Sequence, residues 1–193
     1  MREHWINEKN NFICGYYGNT EICDELISYF KTSENKRPGC VGKNTTIDSS
    51  VKDSTDLIFN EECELRCKYV NYLQENLKHY VEKYKWCNEA GGPWAVLKNG
   101  VQIQYYKPGG AFFEWHTERG SNHEPIVTRH IAFMTYLNDV HDEGETEFYY
   151  QNIKIKPEKG LTLFWPTDWT FTHRGVPSNT EEKYIATGWY NFT

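Results

Sequence analysis

Two His-x-Glu pairs, His116-Thr117-Glu118 and His141-Asp142-Glu143, are the first residues whose types and spacing suggest metal chemistry. Among 7 histidines and 27 acidic residues such a pair is common, so context must separate them. His116 and Glu118 lie in a strand-like run, 112–118, where residues i and i+2 project from one face and reach one ion. His141 lies in the polar stretch 139–144, which reads as a solvated turn. A third ligand must come from elsewhere, and His173 in Phe171-Thr172-His173-Arg174-Gly175 can supply it. Two imidazoles and one carboxylate on one face of a barrel form a triad that suits Fe(II) and leaves coordination positions open. The residues alone also admit three unrelated polar positions on strands, or a zinc hydrolase using the same ligands.

Lys183 opens the last strand-like run, Lys183-Tyr184-Ile185-Ala186-Thr187-Gly188-Trp189. Alternation places Lys183, Ile185, Thr187 and Trp189 on one face. An unpaired ammonium is costly on a packed face, so that face is expected to receive an anion. A zinc hydrolase would leave Lys183 without a role. Gln102, Gln104 and Tyr106 similarly line one side of an earlier run, and a polar barrel interior points to a ligand cavity.

The elements that must position these residues change character near residue 90. Asn19-Thr20 offers a helix N-cap before Ile22, Leu26, Ile27, Tyr29 and Phe30. A second helix is expected from about Glu61 to Trp86, with Leu65, Tyr69, Tyr72, Leu73, Leu77, Tyr80, Val81 and Tyr84 at spacings of three and four. Between them, residues 31–56 read as a polar loop, with a short strand at 56–59. After Gly91-Gly92-Pro93 the helical period disappears. Runs at about 101–106, 112–118, 128–137, 145–150, 153–156, 160–165, 171–175 and 182–190 follow, separated by turn residues. Many short strands without intervening helices argue for an antiparallel sandwich or jelly-roll barrel, mainly β, with the two helices covering one outer face.

Length and composition bound the rest. At 193 residues the chain reads as one domain, with 1–93 a helical support region and polar loop and 94–193 the jelly-roll core. Its 7 Trp, 14 Tyr and 10 Phe supply core volume that a modest aliphatic content does not, which excludes disorder. No apolar stretch approaches the ~18 residues of a membrane span, and the first residues, Met1-Arg2-Glu3-His4-Trp5, show no secretory signal. A net charge of −6 with no basic face argues against nucleic acid as a partner. The six cysteines are expected to be free thiols, with Cys63-x₃-Cys67 structural, and the chain is expected to be soluble and intracellular. The sequons at Asn44 and Asn191 then carry no meaning.

Spaced motifs sharpen this picture. Tyr106-Lys107-Pro108-Gly109-Gly110-Ala111-Phe112-Phe113-Glu114-Trp115-His116-Thr117-Glu118 resembles the opening motif of the 2-oxoglutarate- and Fe(II)-dependent oxygenases, in particular the prolyl 4-hydroxylase-like branch. Tyr136-Leu137-Asn138, Gly144-Glu145-Thr146-Glu147-Phe148, Lys156-Pro157 with Lys159-Gly160, Leu163-Phe164-Trp165-Pro166, His173-Arg174-Gly175-Val176-Pro177 and Lys183 to Trp189 continue it in order over residues 101–190. The resemblance implies a double-stranded β-helix barrel, with His116, Glu118 and His173 as iron ligands. It implies that Lys183 pairs with the distal carboxylate of 2-oxoglutarate, that Tyr106 and Thr187 hydrogen-bond it, and that Tyr136 and Trp189 flank it. Two departures stand out. Glu118 occupies a position where Asp is usual, and Glu143 one where a second Gly is common.

The implied reaction consumes 2-oxoglutarate and O₂, hydroxylates an unactivated C–H bond and releases succinate and CO₂, with ascorbate as reductant. A prolyl residue of a peptide or protein is the expected substrate, and a microbial or viral source is expected. A free amino acid, another metabolite, a nucleobase and a noncatalytic jelly-roll binding module remain alternatives. Substrate contacts are expected from residues 31–56, 119–127 and 165–169, with Phe113, Trp115, Trp165 and Trp169 around the mouth. Arg119, Arg129 and Arg174 are either substrate contacts or solvated surface charge.

Overall fold

The computed structural model describes residues 2–4, 11–42, 46–59, 63–89 and 92–193. The Asn44 sequon and the expected helix start at Glu61 lie outside them. In chain order the elements are β1 (Arg2–His4), β2 (Cys14–Tyr17), α1 (Glu21–Thr32), β3 (Arg37–Pro38), β4 (Thr55–Ile58), α2 (Glu64–Lys83), α3 (Trp86–Glu89) and β5 (Trp94–Tyr106). Then come β6 (Arg129–Tyr136), β7 (Thr146–Phe148), β8 (Ile153–Ile155), β9 (Leu161–Pro166), a 3₁₀ turn at Trp169–Phe171, β10 (His173–Gly175) and β11 (Lys183–Phe192). An antiparallel sheet runs β1-β2-β9-β6-β11-β5-β4-β3, and β10-β7-β8 forms a smaller one. The two sheets face each other as a jelly-roll barrel.

Period-two alternation sorts the central strands. Ile131 to Tyr136 of β6 are all buried, because both faces of this strand are covered. Ile131 and Phe133 pack outward with Phe164, Tyr184 and Tyr190 against Leu26, Phe30, Tyr69, Leu73 and Leu77 of α1 and α2. Ala132, Met134 and Tyr136 pack inward with Leu161, Leu163 and Trp165. At the helix–sheet interface a chain of hydroxyls runs from Tyr69 to Thr135 (2.9 Å), Thr162 (2.8 Å) and Tyr72 (2.9 Å). Each buried hydroxyl thus finds a partner, which removes the cost of burying it.

Several elements differ from expectation. Thr20 is the N-cap of α1 but makes no side-chain cap bond; Asn19 Oδ1 accepts the Glu21 N–H at 2.8 Å instead. β5 begins at Trp94, not 101, so the helix-covered sheet is longer than expected. The run 112–118 is not a regular strand. It pairs only through isolated bridges, Phe112 with Lys52 and His116 with His173. The chain then turns away because the Thr117 hydroxyl and the Arg119 N–H both donate to the Thr167 carbonyl, each at 2.9 Å. β2 was not expected, since four residues containing a glycine carry little periodic signal.

Candidate active site

His116 and His173 face each other across a single antiparallel bridge, His116 N–H to His173 O at 3.0 Å and His173 N–H to His116 O at 2.9 Å. Each imidazole presents Nδ1 to a carbonyl two residues earlier, Glu114 at 3.0 Å and Phe171 at 2.9 Å. A carbonyl can only accept, so each Nδ1 carries a hydrogen and each Nε2 is the ring atom turned toward the cluster, where it can ligate. Phe112 stacks on the His116 ring at 3.7 Å, while Phe148 and Trp165 flank His173. Glu118 Oε1 lies 3.3 Å from His173 Nε2, and one ligating atom from each of the three residues falls within 4.8 Å of the others. No other such cluster of His, Cys, Asp or Glu occurs among the described residues. The alternation argument for 112–118 names two residues that do cluster, but by the wrong route: the turn at Glu118, not a strand pleat, brings its carboxylate beside the histidines.

Burial, with His173 adding to it, pushes the His116 imidazole down to about 3, so the ring is neutral and available to a metal. Burial pushes the Glu118 carboxyl up, but the hydrogen bond with His173, together with the charge of Arg129, outweighs it and holds the group well below the usual carboxylate range. Glu118 Oε2 accepts the Trp189 indole N–H at 2.8 Å, and Arg129 Nη1 stands 3.6 Å from the same oxygen. Arg129 also donates to the Glu118 carbonyl at 2.7 Å and lies over the Trp189 ring at 3.4 Å. Of the two readings offered for Arg129, solvated surface charge does not describe it, since it lines the cavity. It is a partly buried partner of Glu118, and only its proximity in space reveals this. Arg119 is exposed, whereas Arg174 binds Glu147 at 2.9 Å and covers Trp115.

The triad opens onto a cavity of about 600 Å³ that continues to Lys183. Inward alternation of β5 and β11 holds as expected: Gln102, Gln104, Tyr106, Lys183, Thr187 and Trp189 all line it. Lys183 is 5% exposed and donates to the carbonyls of Gly144 (2.8 Å) and Val176 (3.5 Å). Burial lowers its ammonium from 10.5 to about 8, opposed by Glu145, and no carboxylate of the described residues reaches it within ion-pair distance. The Tyr106 ring lies 5.1 Å from the ammonium, and its hydroxyl donates to Gln104 at 2.7 Å. Thr187 donates to the Phe133 carbonyl at 3.0 Å, and Tyr136 to Thr146 at 2.6 Å. Gly144 must be glycine: its φ is +80°, and a Cβ would stand 2.9 Å from Val140. Glu143 shares this left-handed backbone, φ 58°, which accounts for the second glycine usual at that position.

The other arm of the cavity reaches Arg37, Cys40 and Val41 from the first half of the chain, with Lys52 and Asp56 beside the triad. Lys52 is buried against Asp56 at 2.6 Å, and Ser54 donates to the other oxygen at 2.8 Å. Sequence reasoning missed this pair, since Lys52 and Asp56 sit in what reads as a solvated loop. His141 and His123 are exposed, and His130 bonds the Cys87 carbonyl at 2.8 Å; none joins the triad. Of the aromatics expected at the mouth, Trp165 is buried beside His173. Trp169 instead extends, 65% exposed, toward Tyr150 outside the cavity. All six cysteines are free. No helix of the described residues is long and apolar enough to cross a membrane.

Residues 101–191 match the family model of the 2OG-Fe(II) oxygenase superfamily. A probable prolyl 4-hydroxylase of Arabidopsis thaliana is 32% identical over 34% of this chain, and the chain matches only 31% of that relative's length. Among solved structures, a Pseudomonas putida prolyl 4-hydroxylase superimposes with a TM-score of 0.70 at 14% identity, covering 93% of this chain and 92% of that one. A Trichoplax adhaerens prolyl hydroxylase, solved with a hypoxia inducible factor oxygen degradation domain peptide, gives 0.73 at 16% identity, covering 94% and 84%. A viral collagen prolyl hydroxylase from Paramecium Bursaria Chlorella virus-1, solved with 2OG, gives 0.66 at 22% identity, covering 95% and 98%. The strand order is thus that of these prolyl hydroxylase structures, and the stretch that matches the 2OG-Fe(II) oxygenase superfamily model carries the two histidines and the carboxylate of the triad.

Proposed function

We propose that this chain is an Fe(II)- and 2-oxoglutarate-dependent dioxygenase that hydroxylates a prolyl residue of a peptide or protein. The observation that carries this reading is one cavity holding two imidazoles and a carboxylate at one point and, at another, a buried ammonium that no carboxylate of the described residues reaches within ion-pair distance. Two nitrogens and one oxygen suit Fe(II), and three protein ligands leave room for a bidentate cosubstrate and O₂. Bound iron and 2-oxoglutarate supply the oxidising chemistry, in which O₂ and the keto acid become succinate, CO₂ and the hydroxyl oxygen of the product.

The chain's own residues orient and insulate that chemistry. His116, Glu118 and His173 hold the metal. Lys183 pairs with the far carboxylate as a point charge, with Tyr106 and Thr187 beside it as hydrogen-bonding groups. Tyr136 and Trp189 wall the cosubstrate, and Trp165 with Phe148 keeps water from His173. Ascorbate serves as reductant. The whole of 1–193 acts as one oxygenase domain, in which 94–193 carries the chemistry and 1–93 supports it and shapes the substrate arm. A zinc hydrolase is disfavoured. Among the described residues, the carboxylate lining the cavity besides Glu118 is Asp56, which Lys52 and Ser54 occupy, so none of them offers a free general base.

The substrate half of the proposal follows the relatives, which are prolyl hydroxylases, one of them solved with a peptide. The test supplies proline-rich peptides, free proline and nucleosides with Fe(II), 2-oxoglutarate and ascorbate. Peptide mass is expected to rise by one oxygen in step with succinate. Coupled turnover of a nucleoside or free amino acid with every peptide inert overturns the substrate. Absence of succinate from metal-loaded protein overturns the oxygenase reading.

A further inference from the structure

We infer that Trp189 and Arg129 are positioning residues that restrict Glu118 to one-oxygen ligation, so that the longer carboxylate leaves three metal positions open. This rests on the reading of His116, Glu118 and His173 as an iron centre. A glutamate carries one methylene more than the aspartate usual at this position, and the extra torsion lets it turn both oxygens toward an ion. If it did, one of the positions needed by the keto acid or O₂ would be filled.

The surroundings of Glu118 prevent that turn. Oε1 faces the ligand cluster, 3.3 Å from His173 Nε2. Oε2 is engaged on the far side, accepting the Trp189 indole N–H at 2.8 Å with Arg129 Nη1 at 3.6 Å. The clamp is itself held. Arg129 is tied to the Glu118 backbone carbonyl at 2.7 Å and lies over the indole at 3.4 Å, so arginine, indole and carboxylate fix one another. Chelation through both oxygens would break a charge-assisted hydrogen bond inside the cavity, and these are the strong ones. A phenylalanine at 189 would keep the stacking surface and lose the donor.

The experiment loads the full chain with Mn(II) and counts exchangeable metal-bound waters by water-proton relaxation. One-oxygen ligation leaves about three waters on a six-coordinate ion, and two-oxygen ligation about two. The wild-type chain is expected to show three. Trp189→Phe is expected to show two, with Mn(II) affinity undiminished and 2-oxoglutarate affinity of the Mn(II) form about tenfold weaker, the scale set by one charged hydrogen bond. Arg129→Gln is expected to move both readouts the same way. A wild-type count of two overturns the inference without any variant. So does a Trp189→Phe protein whose water count and 2-oxoglutarate affinity match wild type, or one that loses Mn(II) affinity at an unchanged count, which is what a merely structural role predicts. Failure of the wild-type chain to take up Mn(II) overturns the iron-centre reading itself, an outcome distinct from the others.

Discussion

Lys183 shows how one residue can set both a binding profile and a stability. Its folded pKa of about 8 lies below the ordinary 10.5, so burial of the charge destabilises the empty protein at neutral pH, by about 3 kcal/mol. That penalty fades as pH rises through 8 toward 10.5, where the buried amine sheds its proton and the unfolded one keeps it. An arriving carboxylate restores the proton's value, so 2-oxoglutarate affinity is expected to hold below pH 8 and to fall about tenfold per pH unit above it. Calorimetric titration across pH 7–9.5 checks this. Lys183→Arg, always charged, is expected to flatten the alkaline limb, and a limb that persists there belongs to another group. Lys183→Met is expected to weaken 2-oxoglutarate binding by about 2–5 kcal/mol without lowering the melting temperature of the empty protein, as thermal denaturation would show.

At the scale of elements, the register between β5 and β11 shifts at Gly188, next to Trp189. A Cβ there would meet the Gly100 carbonyl oxygen and crowd the Phe133 ring at 2.6 Å. Gly188→Ala is expected to cost about 2–3 kcal/mol in denaturant unfolding and, by displacing the indole from Glu118, to lower the count of metal-bound waters as Trp189→Phe does. A variant as stable as wild type would mean that the two strands separate without strain. The same scale explains what was legible beforehand. Period-two alternation identifies the inward face of β11 and β5 because both strands are long and covered by helices. It misplaces 112–118, whose course is set by side-chain bonds to Thr167 rather than by a strand ladder. It is silent on Arg129 and on the Lys52–Asp56 pair, because charged residues read as solvated until the fold brings a partner to them.

For the whole molecule, ligand binding and stability are one quantity. With metal present, 2-oxoglutarate at about 100 times its dissociation constant is expected to stabilise the fold by about 2.7 kcal/mol, seen as a raised melting temperature. Lys183→Met should abolish that gain, and a chelator should remove it. A gain that survives chelation would separate the keto acid from the metal. The bridge between His116 and His173 carries this coupling furthest. Their two reciprocal amide hydrogen bonds are isolated from any longer ladder, and they join parts of the chain distant in sequence. An ion ligated by both imidazoles closes a ring over those bonds and ties the irregular 112–116 segment to β10. The backbone amides of His116 and His173 therefore become gauges of occupancy. In hydrogen–deuterium exchange both should trade protons together and quickly in the empty chain, and both should slow together once the ion is bound.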